Sequence, residues 1–136
     1  MARTLEVVGD RWSLLVVREA FLGARRFDQM QRQTGAPRDI LSARLKKLVE
    51  HGVLERRPYQ EHPPRFEYHL TDAGRDLYPV ITALRQWGDR HVERPGPTPP
   101  SFVHECGSTA PALLVCPDCG EPVVPGSMRA DASVSV

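Results

Sequence analysis

Three cysteines and one histidine near the C-terminus are the residues whose types and spacing could bind a metal. They form two pairs, His104–Cys106 and Cys116–Cys119, and the second pair lies within Cys-Pro-Asp-Cys-Gly. Thiolate sulfur and imidazole nitrogen are the usual ligands of Zn²⁺ in tetrahedral sites, and a tight turn that ends in glycine lets two thiolates face one ion. The sequence therefore predicts a zinc site, and the predicted ligands are His104, Cys106, Cys116 and Cys119.

Other chemistry is open to the same residues. Cys116 and Cys119 could instead form a thiol pair that cycles to a disulfide, or the segment could be an unstructured tail with incidental cysteines. His104 is the weakest of the four ligands, because water, Asp118 or a partner chain could complete the site in its place. An odd, clustered set of three cysteines is a poor framework for structural disulfides.

A second group of residues could read duplex DNA. Arginine can form a bidentate contact with the O6 and N7 atoms of guanine, and Arg38, Asp39 and Ser42 are predicted to contact bases. Arg65 is predicted to contact phosphate, whereas Arg44 could point sideways and pair with Glu50 or another acid. The complete set predicted to contact DNA is Arg38, Asp39, Ser42, Arg44, Lys46, Arg65, Arg26 and His62.

These residues need elements that present them on one surface. Leu41, Leu45 and Leu48 recur at helical spacing, so they predict a helix with one buried face and a basic outer face. Alternating apolar and polar residues after it predict two strands with a proline-stiffened tip at 60–64. The predicted elements are helices at 4–8, 11–22 with Asp10 as its N-cap, 26–34 and 37–51 and strands at 53–59 and 65–70. This order predicts a mainly α fold with a β-hairpin wing, a winged helix-turn-helix.

A last helix is predicted after Thr71, its N-cap. Pro79 lies inside the predicted helix and should kink or restart it. The apolar stripe is long for one small domain, so it predicts an interface with a second copy of the chain, although it could also cap its own core. The predicted interface residues are Leu77, Val80, Ile81, Leu84, Trp87 and His91.

Composition divides the chain into unequal parts. Of its 136 residues, 1–92 carry 16 Lys and Arg against 12 Asp and Glu, and four prolines occupy 93–100. We expect a DNA-binding and dimerisation domain at 1–92, a Pro-rich linker at 93–100, a Cys/His-rich, zinc-ribbon-like appendage at 101–126 and a disordered tail at 127–136. The sequence has no apolar run of the roughly 20 residues that span a bilayer and no secretion signal, so a cytoplasmic location is expected.

The first 92 residues resemble the HxlR-type family of bacterial winged helix-turn-helix transcription regulators. The matching segments are Val8–Leu15 with Arg18 and Glu19, Arg25–Phe27, Leu41–Leu45 with Leu48, Gly52–Leu54, Pro63–Thr71, Gly74–Arg75 and Trp87–Gly88. The resemblance implies a homodimer, built mainly from the terminal helices, that binds a DNA operator with two half-sites. Several members of the family sense oxidants through a cysteine before the first helix. This sequence has no cysteine before Cys106, so that mechanism is not carried over.

The leading prediction is therefore a sequence-specific, DNA-binding transcription regulator. The main alternatives are a winged-helix module for protein interaction and a regulator that responds through the C-terminal cysteines. An aromatic effector could bind at the dimer interface near Trp12, Leu84 and Trp87. The sequence has no Gly-rich phosphate loop and no nucleophile elbow, so the chain is not expected to be an enzyme.

Overall fold

The computed structural model describes residues 1–93, 95–96 and 102–130. Parts of the predicted linker and tail and the first residue of the predicted appendage, namely residues 94, 97–101 and 131–136, lie outside the described residues. The elements in chain order are helices α1 (Ala2–Val8), α2 (Arg11–Phe21), α3 (Phe27–Thr34) and α4 (Arg38–Glu50), strands β1 (Leu54–Gln60) and β2 (Arg65–Leu70), and helices α5 (Asp72–Arg75) and α6 (Tyr78–His91). The predicted architecture, mainly helical with one antiparallel hairpin, is confirmed.

Helix α2 is the centre of the fold. Asp10 is its N-cap: the Ser13 backbone N–H donates to Asp10 Oδ1 over 3.0 Å, and Ser13 Oγ donates to Oδ2 over 2.6 Å. Val16 and Val17 are completely buried, and the helix packs against both α3 and α4. Apolar residues lie on two faces of this helix, with Trp12 and Val16 on one and Leu14 and Val17 on the other, so it must be buried on two sides.

Helices α3 and α4 form the helix-turn-helix. Gly35 ends α3 with a φ of 72°, a left-handed conformation that favours glycine. Pro37, the predicted first helical residue, is instead the N-cap of α4, so the helix begins one residue later than predicted. Leu41, Leu45 and Leu48 are buried in the core, so the opposite face of α4 is available to solvent.

The hairpin forms the wing. Its strands pair antiparallel from Leu54 opposite Leu70 to Pro58 opposite Phe66, and the register shifts between Pro58 and Gln60. The first strand runs one residue later at each end than predicted. The backbone N–H of Tyr68 donates to the Arg25 carbonyl over 2.7 Å, which fastens the wing to the segment before α3.

The chain after the wing forms two helices, because it restarts near Pro79. The side chain of Thr71 caps α5 by accepting from the Gly74 N–H over 3.1 Å. A Cβ atom at Gly74 would lie 2.1 Å from the Val53 carbonyl oxygen, so only glycine allows α5 to pack this closely. Leu77 consequently lies in the turn before α6 rather than on the predicted continuous stripe.

The chain divides into two compact units, Met1–Ile81 and Thr82–Val136. The boundary falls within α6 rather than in the predicted linker. In the second unit, Val115 and Pro122 form an isolated antiparallel bridge around the Cys116–Cys119 turn. Among the described residues, no helix has both the length and the apolar character needed to cross a bilayer.

Candidate nucleic-acid interface

The outer face of α4 is exposed and carries all three residues predicted to contact bases, together with Lys46. Arg38, Asp39, Ser42 and Lys46 are all exposed to solvent. Ser42 and Lys46 lie one helical turn apart, and Arg38 lies a further turn toward the N-terminus. The structure therefore brings these four residues to the helix that the sequence singled out, on the side away from the core.

Arg38 is held over the start of α3 without being buried. Its guanidinium lies 4.8 Å from the centre of the Phe27 ring, 3.4 Å from Gln31 Oε1 and 3.6 Å from Asp28 Oδ1. The side chain nevertheless remains 71% exposed. These contacts restrict the side chain near the N-terminal end of α4, the part of a recognition helix whose residues meet base edges in helix-turn-helix proteins.

Arg44 does not share this exposure. It is half-buried, and its Nε donates to Asp10 Oδ1 over 2.8 Å. Lys47 Nζ lies 3.7 Å from Asp10 Oδ2, so two basic residues of α4 converge on one carboxylate. The sequence left open that Arg44 pairs with an acid. Its partner is Asp10, whereas Glu50 pairs with Lys46 over 3.8 Å.

The electrostatics of this junction stabilise the ionised form of Asp10. Partial burial alone would raise the pKa of Asp10. Hydrogen bonds from the side chain and backbone of Ser13, together with the hydrogen bond and charge of Arg44, outweigh that effect, and the pKa of Asp10 is lowered from its ordinary value of 3.8. Asp10 therefore links the N-terminus of α2 to α4.

Two of the predicted DNA contacts lie at the tip of the wing, and a third packs against the side of the wing. His62 and Arg65 are exposed at the tip. Arg26 instead lies against the hairpin, with its guanidinium 4.3 Å from the Tyr59 ring and its Nε 3.4 Å from Glu67 Oε1. Its side chain is still about half exposed, so its contact with DNA stays a prediction.

Two exposed wing arginines, Arg56 and Arg57, were missed from the sequence. Arg56 stacks on the Phe66 ring at 4.1 Å, and Arg57 pairs with Glu55. Because side chains alternate along a strand, Arg56 and Arg57 point to opposite faces of the hairpin. The sequence pattern therefore did not indicate a shared role for them. Both side chains are exposed, so the surface of the hairpin carries two positive charges that the prediction based on Arg65 did not include.

The C-terminal cysteines and His104 form two local pairs. His104 Nδ1 lies 3.1 Å from Cys106 Sγ. In the second pair, hydrogen bonds from the backbone N–H groups of Cys119 and Asp118 lower the pKa of Cys116. Within the described residues, no three potential ligands converge on one point. The four-ligand zinc site therefore stays a prediction, and the turn around Cys116 is its better-formed half.

Helix α6 exposes much of the predicted interface. Val80, Leu84 and Trp87 are 46%, 51% and 61% exposed. The His91 ring lies 5.5 Å from that of Trp87. Leu77 and Ile81 are partly buried and pack against the core of the first unit, so these two predicted interface residues already have partners within the chain.

Comparison with known proteins places the chain in a family. The family model for the HxlR-like helix-turn-helix matches residues 7–95. The HTH-type transcriptional regulator Rv3095 of Mycobacterium tuberculosis is 51% identical over 124 residues, which cover 90% of this chain and 78% of that protein. These relationships confirm the expected resemblance.

Solved structures extend the comparison to the fold. PA1607, described as a candidate transcription factor, is 38% identical with a TM-score of 0.82, over 96% of this chain and 92% of that chain. The redox regulator HypR in its reduced form is 31% identical with a TM-score of 0.61, over 67% of this chain and 93% of that chain.

The protein is a transcriptional regulator rather than an enzyme, because the family and the relatives named above are regulators of transcription. Two of the segments that carry the resemblance, Val8–Leu15 and Pro63–Thr71, correspond to the junction at Asp10 and to the wing with its Thr71 cap. The matched region includes the helix-turn-helix, the wing and α6. The chain belongs to the HxlR-like helix-turn-helix family.

Proposed function

We propose that the protein binds duplex DNA as a homodimer, at an operator with two half-sites, with α4 in the major groove. The observation that carries this proposal is the division of α4 into a buried leucine face and an exposed face with Arg38, Ser42 and Lys46. A helix of this width fits the major groove of B-DNA, where side chains meet base edges. The wing would place Arg65 and His62 against the backbone beside that groove.

The homodimer is supported by the exposed apolar stripe of α6. Val80, Leu84 and Trp87 recur at positions i, i+4 and i+7, so they lie on one side of the helix. A second copy of the chain is the partner that the resemblance to the family implies. Two recognition helices related by a twofold axis would enter successive major grooves about 34 Å apart.

Fluorescence anisotropy with two duplexes tests the proposal directly. One duplex is the stretch upstream of the protein's own gene and the other is a scrambled duplex of the same composition, each titrated at several salt concentrations. Preferential binding with a steep salt dependence is expected, because each neutralised phosphate releases a counterion. Binding to neither duplex at low salt would overturn DNA binding and favour a protein-interaction module.

Arg38→Ala is expected to weaken binding to the operator by about 1–3 kcal/mol and to relax the preference at one base position. The reason is that Arg38 is exposed at the end of α4 that faces the bases. Arg3→Ala, which removes one exposed arginine from α1, is the charge-matched control. Equal losses of Arg38→Ala on operator and random DNA would show that Arg38 contacts only phosphate.

The C-terminal unit is proposed to hold one zinc ion through Cys116 and Cys119, completed by Cys106 and His104. The support is the turn from Cys116 to Cys119, which the Gly120 N–H closes by donating to the Cys116 carbonyl over 2.8 Å, together with the tetrahedral preference of Zn²⁺ for this ligand set. The ion would supply folding energy to a segment whose side chains are almost all exposed.

Metal analysis of the reduced full chain is expected to find about one zinc per chain, and this content should be lost in Cys116→Ser. Removal of the ion should make all three thiols reactive to a thiol reagent. Zinc-free protein with three freely reactive thiols from the outset would exclude the site. A Cys116–Cys119 disulfide formed on mild oxidation would then favour the redox alternative.

A further inference from the structure

A cleft in the first unit is lined by basic and aromatic residues that the DNA-binding proposal does not use. It has a volume of about 490 Å³ and opens to solvent between the end of α2, the wing and the start of α6. Its basic lining consists of Arg25, Arg57, Arg75 and His69. Its aromatic lining consists of Phe21 and Tyr78. The volume is within the range of small-molecule sites.

The two aromatic side chains form one wall of the cleft. The rings of Phe21 and Tyr78 meet edge to face, with their centres 5.0 Å apart and their planes at 65°. Tyr78 is more than half exposed, so its ring is accessible from the cleft. An added ring can pack against this pair in the offset or edge-to-face arrangements that aromatic groups prefer.

Arg25 is the basic residue best placed to hold an anion. Its Nη1 donates to the carbonyl oxygens of Ala20 and Ala24 over 2.6 and 3.0 Å. These contacts fix the guanidinium but do not neutralise it. Within the described part of the chain, no carboxylate lies within ion-pair distance of Arg25.

The other basic groups have carboxylate partners that do not line the cleft. The pairs are Arg57–Glu55, Arg75–Asp72 and His69–Glu67. Glu67 is also shared with Arg26. Of the three arginines that line the cleft, Arg57 and Arg75 have carboxylate partners, so Arg25 carries the charge that a bound anion would neutralise.

We propose that this cleft binds a small aromatic carboxylate, which makes it an effector site distinct from the DNA-binding surface. The carboxylate would accept hydrogen bonds from the Arg25 guanidinium, with Arg57 and Arg75 adding charge. A guanidinium binds a carboxylate through two parallel hydrogen bonds, which fixes the orientation of the ligand. The ring would pack on Phe21 and Tyr78. The site joins both wing strands to α6, so a bound ligand would bridge the elements on either side of the cleft.

Isothermal titration calorimetry of the full chain with benzoate tests the proposal. Benzyl alcohol supplies the ring without the carboxylate, and acetate supplies the carboxylate without the ring. Benzoate is expected to bind at least about tenfold more tightly than either, because each comparison ligand lacks one half of the recognition. Absence of benzoate binding, or acetate binding of equal strength, would overturn the proposal.

Three variants locate the site. Arg25→Gln is expected to weaken benzoate binding about tenfold, and Arg57→Gln about threefold because its charge is exposed and already paired. Arg32→Gln removes an exposed arginine of α3 that does not line the cleft and should leave binding unchanged. Because Arg25 also binds two carbonyls at the end of α2, Arg57→Gln decides the result if Arg25→Gln does not fold.

Unchanged benzoate binding in every cleft variant that folds would place the ligand elsewhere and overturn the proposal. The titration contains no DNA, so its failure would leave the DNA-binding proposal untouched. If the protein did not bind the operator, the calorimetry would still test benzoate binding in the cleft.

Discussion

Leu84→Asp is expected to convert the proposed dimer into a monomer and to weaken operator binding by about 100-fold. Leu84 lies between Val80 and Trp87 on the exposed stripe of α6, and it is 51% exposed in the single chain. A carboxylate at this position would be buried without a partner in an apolar interface, at a cost of several kcal/mol. A monomer would contact one half-site only, and it would lose the gain from linking two binding events.

The measurement combines sedimentation velocity with anisotropy on the operator. Asp89→Lys is the matched control, because Asp89 is exposed on the opposite side of α6 and the substitution also changes its charge. Far-UV circular dichroism should show unchanged helix content in both variants. A Leu84→Asp protein that sediments as a dimer would place the interface elsewhere, and a monomer with full operator affinity would remove the need for two half-sites.

The sequence was sufficient for the elements that have a regular apolar period. Leu41, Leu45 and Leu48 predicted the buried face of α4, and all three are buried. The alternation in 65–70 predicted the second strand with its correct bounds. These predictions succeed because a helix or strand that buries one face must repeat its apolar residues at its own period.

Contacts between side chains that are far apart in the chain could not be predicted from the sequence. Arg44 was predicted as a DNA contact with Glu50 or another acid as the alternative, and its carboxylate partner, Asp10, lies 34 positions earlier in the chain. Arg26 shows the same difficulty, because its contacts with Tyr59 and Glu67 depend on how the wing folds back. The sequence around an arginine can be the same whether its guanidinium contacts a phosphate, an aromatic ring or a carboxylate.

The cleft was missed for a related reason. Its lining comes from α2, the loop after it, both strands, α5 and α6, so no segment of the sequence contains more than a few of its residues. The predicted effector site rested instead on Trp12, Leu84 and Trp87 at the expected dimer interface, and it stays a prediction. Trp12 is partly buried against the core of the first unit, which accounts for its apolar surface without a ligand.

The restart near Pro79 has a consequence for the interface. Because α5 ends at Arg75 and α6 begins at Tyr78, Leu77 and Ile81 turn toward the core while Val80, Leu84 and Trp87 stay exposed. The predicted single stripe is thus divided between packing within the chain and an exposed face. The exposed face is the part that a second copy could cover.

Asp10→Ala is expected to lower the free energy of unfolding by about 2–3 kcal/mol, because it removes an N-cap and two charge-assisted contacts at once. The lost contacts are those to Ser13, Arg44 and Lys47. Asp10→Asn should cost about 1 kcal/mol, because asparagine caps a helix as well as aspartate but does not pair with the two cations. Asp76→Asn is the control, since Asp76 is exposed and makes no ion pair within the described residues.

The pH dependence of the free energy of unfolding separates the effect of the Asp10 charge from the effect of Asp10 as an N-cap. The pKa of Asp10 is lowered in the folded protein, so its ionised form contributes stability above the ordinary value of 3.8, and the contribution is lost as the pH falls through the lowered pKa. The difference in stability between the wild type and Asp10→Asn should therefore be constant near pH 7 and shrink below about pH 4. Urea unfolding at several pH values measures it. A difference that persists unchanged at the lowest pH at which the protein folds would show that the carboxylate's charge does not hold α4 to α2, and that Asp10 acts only as a helix cap.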